Sequence, residues 1–197
     1  KSGIKKLSLL DVYYGTELQL PVYIDEAVNC ERQLHSGKEI VPAGMFYYHI
    51  ADPIIDAVGE MTEEAERDAK MKQQKMSGIL CGGRDTASKM DSALETGASS
   101  LVIPAAYKVS GEPATSSQTY SNEDFQTIVS YAKRKTGELG CGIGSGDISV
   151  SPLETNKKCM CDFCDYKTVC MIDTRLPGYS KRIAGKLDND TVIKKMR

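Results

Sequence analysis

Four of the seven cysteines in this 197-residue chain, Cys159, Cys161, Cys164 and Cys170, fall within twelve consecutive positions. A segment that brings several sulfurs to one soft metal folds around that metal, which leaves it few backbone paths. Cys161-x2-Cys164 lets two sulfurs converge from one short turn, and Cys170 can close from the next. The spacing does not select the metal. All four cysteines together make a local zinc site, or three of them hold an iron-sulfur cluster completed by a distant fourth. A disulfide pair and unrelated buried thiols are the remaining readings of the same residues.

The length suits one domain or two, with enough chain for a real core. No apolar run reaches the roughly eighteen residues that a membrane helix needs, so a soluble protein with no membrane partner is expected. The start shows no secretory leader pattern, and an odd cysteine count argues against full disulfide bonding, so a cytoplasmic location is expected. The first residue is Lys1 rather than methionine, and the chain is expected to be a piece of something longer. A net charge of -2 argues against a protein coated in positive charge for nucleic acid. From residue 157 onward, however, ten Lys or Arg stand against five Asp. That basic tail reads either as a phosphate-facing surface or as a solvated, partly disordered end.

Apolar residues at three- and four-residue steps predict a helix over 7–32, kinked or broken between Leu18 and Pro21. Gln19 and Tyr23, four apart, would project from one face of it; by spacing alone they read as a surface amide beside a core tyrosine. The apolar and aromatic run 40–50 predicts a strand. Thr62 caps a helix reaching about residue 75, and residues 76–83 are a short apolar piece stopped by glycines. Residues 84–94 read as a helix, 99–109 as a strand broken at Pro104, and 110–118 as a turn. Ser121-Asn122-Glu123-Asp124 opens the clearest helix, expected to run towards Gly137 or Gly140. Residues 147–152 then lead in extended form to the cysteines.

Taken in order, KSG, YYGTELQLPVYIDEA, PAGMFYYHIADP, KMSGIL, SNEDFQTIVSYA, GDISVSP and CDFCDYKTVC cover nearly the whole chain. This series resembles the C-terminal nuclease domain of the B subunit of AddAB-type (RexAB-type) ATP-dependent helicase-nucleases. The Gln-x3-Tyr and Cys-x2-Cys-x5-Cys motifs occurring together make the resemblance specific.

The resemblance implies a restriction-endonuclease-like PD-(D/E)xK fold of the α/β class, a mixed sheet flanked by helices and truncated at its N-terminal side. Residues 1–156 would be the C-terminal part of a RecB-like nuclease domain, and 157–197 a cluster-binding segment with a basic tail. Lys1 resembles the motif lysine, which orients the attacking water and offsets charge on the reacting phosphate. Gln19 and Tyr23 resemble the family's Gln-x3-Tyr pair, which contacts DNA or supports the metal ligands. Cys161, Cys164 and Cys170 match three of the four ligands of a structural [4Fe-4S] cluster, with Cys159 a candidate substitute for the fourth. The implied nuclease metal is Mg2+ or Mn2+. The implied partners are the A-type helicase-nuclease subunit of the heterodimer and single- and double-stranded DNA. Both metal-binding aspartates and the first cluster cysteine should precede Lys1, so the chain alone is expected to lack nuclease activity and an intact cluster. The rival expectations are a zinc-binding DNA- or protein-interaction module without chemistry, and a scaffold whose cysteines are merely buried.

Overall fold

The apolar stripe over residues 7–32 folds as two helices, α1 (Leu9–Tyr14) and α2 (Gln19–Leu34). The break centres on Gly15, whose φ of 82° is left-handed backbone that a glycine enters without a Cβ clash. Pro21 does not kink a helix. It sits in the first turn of α2, where a missing N–H leaves no hydrogen bond unmade. These elements belong to a computed structural model that describes residues 5–50, 53–55, 61–96, 98–155, 158–173, 175–177 and 179–197.

Beyond α2 come β1 (Gly44–Tyr47), α3 (Glu63–Gln73), β2 (Ser77–Cys81), α4 (Arg84–Met90), α5 (Ala93–Thr96), β3 (Thr119–Tyr120) and α6 (Asn122–Gly144). β1 is shorter than the strand expected over 40–50. The apolar piece after α3 is β2, the central strand, paired antiparallel to β1 and parallel to β3. This mixed sheet with helices on it is the α/β arrangement that the family resemblance implied.

Alternation along the strands gives the sheet two buried faces. Met45, Ile79 and Cys81 join Leu9 and Val12 of α1 and Phe125, Ile128 and Ala132 of α6 in the main core. Leu80 joins Ala87, Leu94, Ile103, Ala105 and Tyr107 on the other face, with Phe46 packed against them.

Two further expectations are corrected. Residues 99–109 do not form a strand, because the Ser100 hydroxyl accepts the N–H groups of Val102 and Ile103, both at 2.9 Å, and folds the chain back. What remains of pairing are single bridges, Ser99 with Ala106 and Tyr107 with Pro113. The helix expected over 84–94 divides into α4 and α5, where the Asp91 carboxylate accepts the N–H of Ala93 at 3.0 Å.

α6 opens on Ser121, whose hydroxyl accepts the Asp124 N–H at 3.1 Å, and it runs on through Gly137 and Gly140 to Gly144. Next comes a small second sheet in the order β5 (Lys158–Cys159), β4 (Leu153–Thr155), β6 (Arg182–Ile183). Between β5 and β6 lie a 3-10 turn (Met160–Phe163) and α7 (Lys167–Cys170). The basic tail ends in order, as α8 (Asn189–Met196). Asp188 caps that helix by accepting the Thr191 N–H at 2.9 Å, and Val192, Ile193 and Met196 are buried against α1 and α6.

Candidate active site and cysteine segment

At the start of α2 the Gln19 side-chain amide donates to the Tyr23 hydroxyl at 3.0 Å, across one helical turn. Tyr23 is 61% exposed, so its hydroxyl, which accepts from Gln19, is open to solvent. The motif pair therefore stands on an open face and not in the core, unlike the reading that spacing alone suggested.

Beside this pair lies a group of residues that the sequence did not single out. Glu17, just ahead of α2, accepts a hydrogen bond from the Tyr47 hydroxyl and forms an ion pair with the Lys5 amine at 3.2 Å. Burial, then the hydrogen bond to Glu17, then the charges of Glu17 and Tyr23 push the Tyr47 phenol far above the ordinary tyrosine range. Tyr47 is thus a neutral donor, and Tyr23 lies close enough to influence it. Tyr47 pairs across the strands with Ser77, whose hydroxyl donates to the Lys5 carbonyl at 2.5 Å. Lys5 is gripped at both ends, by its backbone through β2 and by its amine through Glu17. These contacts join residues 12, 30 and 72 positions apart, which no local pattern reports.

Lys1 lies outside the described residues. Among the described residues no three His, Cys, Asp or Glu side chains are gathered to hold a metal ion. Glu17, already engaged by a lysine and a phenol, does not by itself make a divalent-cation site.

The cysteine segment is built differently. Cys159 is buried at the end of β5, where its N–H donates to the Asp162 carboxylate at 3.0 Å. Cys161 is half-buried, and Cys164 and Cys170 are exposed. Burial first, then a hydrogen bond with Cys159 and the potentials of Cys159, Cys164 and Cys170, push the Cys161 thiol up. Those influences place the four sulfurs in one neighbourhood, although not at ligating distances. All seven cysteines are unpaired in this structure. The donor set, three or four thiols on one turn and one short helix, suits a thiolate-bound metal group. No helix among the described residues is long and apolar enough to cross a membrane.

Residues 1–171 match the family described as the PD-(D/E)XK nuclease superfamily. The whole chain is 32% identical over 197 residues to the B subunit of the ATP-dependent helicase/deoxyribonuclease of Alkaliphilus metalliredigens, and 32% identical over 198 residues to the protein of the same name in Bacillus mycoides. The protein of that name in Clostridium perfringens is 30% identical over 98% of the chain. In each case the chain spans 17% of the relative's length.

Proposed function

From the premise that this chain belongs to the PD-(D/E)XK nuclease superfamily, we propose that it is the C-terminal nuclease part of the B subunit of an ATP-dependent helicase-nuclease. In this reading the intact protein hydrolyses phosphodiester bonds at DNA ends during repair and recombination of double-strand breaks. It works with a motor-bearing A-type partner on single- and double-stranded DNA. The observation that carries the reading is the hydrogen-bonded Gln19–Tyr23 pair, exposed at the head of α2 beside β1.

A divalent ion, Mg2+ or Mn2+, supplies Lewis-acid stabilisation of the reacting phosphate when bound. The chain's own contribution is positioning and charge. Lys1 takes the place of the motif lysine, orienting the attacking water and offsetting negative charge as it develops on the phosphate. Tyr23, accepting from Gln19, offers its hydroxyl proton to a phosphate oxygen of the strand. Lys5, tied by Glu17 and Ser77, is itself held against the sheet.

Cys161, Cys164 and Cys170 would hold a [4Fe-4S] cluster, with Cys159 the nearest substitute for a fourth ligand. Its work is structural, since a cross-link from this segment to a distant cysteine closes a long loop and clamps the domain. A cytoplasmic location goes with this reading, since thiolate ligands of such a cluster need a reducing compartment.

The test uses the intact protein together with its motor-bearing partner. Degradation of linear DNA should require Mg2+ or Mn2+ and stop in EDTA. Tyr23→Phe should lower kcat/KM by at least about tenfold, the loss of about 1.4 kcal/mol of transition-state stabilisation. Equal rates for wild type and Tyr23→Phe would overturn the role of the pair. Anaerobically purified protein should carry iron and acid-labile sulfide, and Cys164→Ser should lose both. Zinc in place of iron would instead favour an interaction module.

A further inference from the structure

A second feature adjoins the Lys5–Glu17 contact. The chain turns its consecutive lysines to different neighbours, Lys5 to Glu17 and Lys6 into a surface groove of about 420 Å³. The groove is lined by Lys6, Lys75, Ser77 and Gln118 together with the apolar Leu7, Met76 and Pro104. Its floor is held by backbone hydrogen bonds, Met76 N–H to the Val102 carbonyl at 2.8 Å and Gln118 N–H to the Pro104 carbonyl at 3.0 Å. Ser77, which lines it, is the residue that holds the Lys5 carbonyl.

The charge in this groove is one-sided. Lys75 donates to the Ser100 carbonyl at 2.8 Å, and among the described residues neither Lys6 nor Lys75 has a carboxylate partner. No aspartate or glutamate lines the groove. Two uncompensated cations in a concave surface attract an anion, and the amide of Gln118 adds a neutral donor.

We propose that this groove is the track for the phosphodiester backbone of a single DNA strand as it passes the Glu17, Gln19 and Tyr23 group, with Lys6 and Lys75 each taking one phosphate. The proposal rests on the nuclease reading and names how the substrate strand lies. A flexible single strand can follow a groove of this size by its phosphates alone, so the track is sequence-tolerant.

The experiment measures binding of a labelled single-stranded oligodeoxynucleotide to the intact protein in EDTA, across a potassium chloride series. Wild type is compared with Lys6→Ala, Lys75→Gln and the double variant. Each single variant should weaken binding several-fold at low salt and lower the slope of log affinity against log salt by about 0.7, and the double variant by about 1.4. A thermal melt checks the fold of Lys75→Gln. Lys6→Ala removes no hydrogen bond of the described residues and carries the test if Lys75→Gln is unfolded. Unchanged affinity and slope overturn the track. Inorganic phosphate that displaces the oligonucleotide at equal concentration also overturns it, by making the groove a free-phosphate site. Restoring the divalent metal separates the two readings. A wild type that binds the strand through the lysines but never cuts it sinks the nuclease reading and leaves the groove; one that cuts while the lysine variants bind as wild type does the reverse.

Discussion

Glu17 is the residue on which the candidate site turns, because it faces a phenol and an amine at once. Its side chain is only 13% exposed, so its charge is compensated by Lys5 and by the Tyr47 hydroxyl and not by bulk water. Glu17→Gln keeps an acceptor for Tyr47 and removes the charge that holds Lys5. The expected result in the intact protein is a fall in kcat of about tenfold, because loosening a positioned segment by a fraction of an ångström costs about that much. The thermal midpoint should move by only a few degrees, as suits the loss of one ion pair whose lysine is half-exposed. A variant that cuts DNA at the wild-type rate would show Glu17 to be a surface anchor only. That Gln19 and Tyr23 face one another was legible in the sequence, since a four-residue spacing is a local fact of helix geometry, although spacing alone put the tyrosine in the core. Glu17, Lys5 and Tyr47 were not, since their meeting depends on β1 being laid beside α2.

Among elements, the contact between β1 and β2 positions both Tyr47 and Ser77, and it depends on glycines at the closest approach, Gly78 above all. A Cβ on Gly78 would lie 2.1 Å from the Met45 carbonyl oxygen and 2.8 Å from the Phe46 Cα, so the strands would have to part. Gly78→Ala should therefore cost about 3 kcal/mol or more, read as a lower urea midpoint. It should also weaken DNA cleavage, because the strand pair carries the grip on Lys5. An unaltered midpoint would mean that the strands tolerate a wider spacing. The sequence showed a short apolar piece ending in glycines here, yet not that it was the central strand, because five residues lack the length to separate strand from helix by period. The opposite error occurred at residues 99–109, where a strand-like composition lost to the turn that Ser100 and Pro104 impose. Their apolar side chains still do what composition required, burying Ile103, Ala105 and Tyr107 against the sheet.

Across the whole molecule, aromatic phenols are distributed through the packed regions, and this makes the fold sensitive to alkali. Burial raises Tyr47, Tyr107, Tyr120 and Tyr131 above the ordinary tyrosine value. The unfolded chain ionises these groups near pH 10 while the folded protein keeps them protonated. Their contribution to stability is therefore complete below about pH 10 and is lost as pH rises above it. Stability by urea unfolding should decline gently as pH rises past the ordinary thiol range, where the buried Cys81 thiol resists ionisation, and fall steeply beyond pH 10, and Tyr47→Phe should make that steep fall shallower. The same alkaline slope in wild type and Tyr47→Phe would show that Tyr47 ionises freely in the fold. Periodicity, capping residues and cysteine spacing were enough to determine the start of α6, the cap on α3, the helical setting of Gln19 and Tyr23, and the thiol-rich segment, because each is set by neighbours within a few positions. Only the tertiary structure decided that the tail closes as α8 on α1 and α6, that Glu17 joins Lys5 to Tyr47, and that Lys6 and Lys75 share one groove, because those contacts require segments far apart in the chain to be packed against a common sheet.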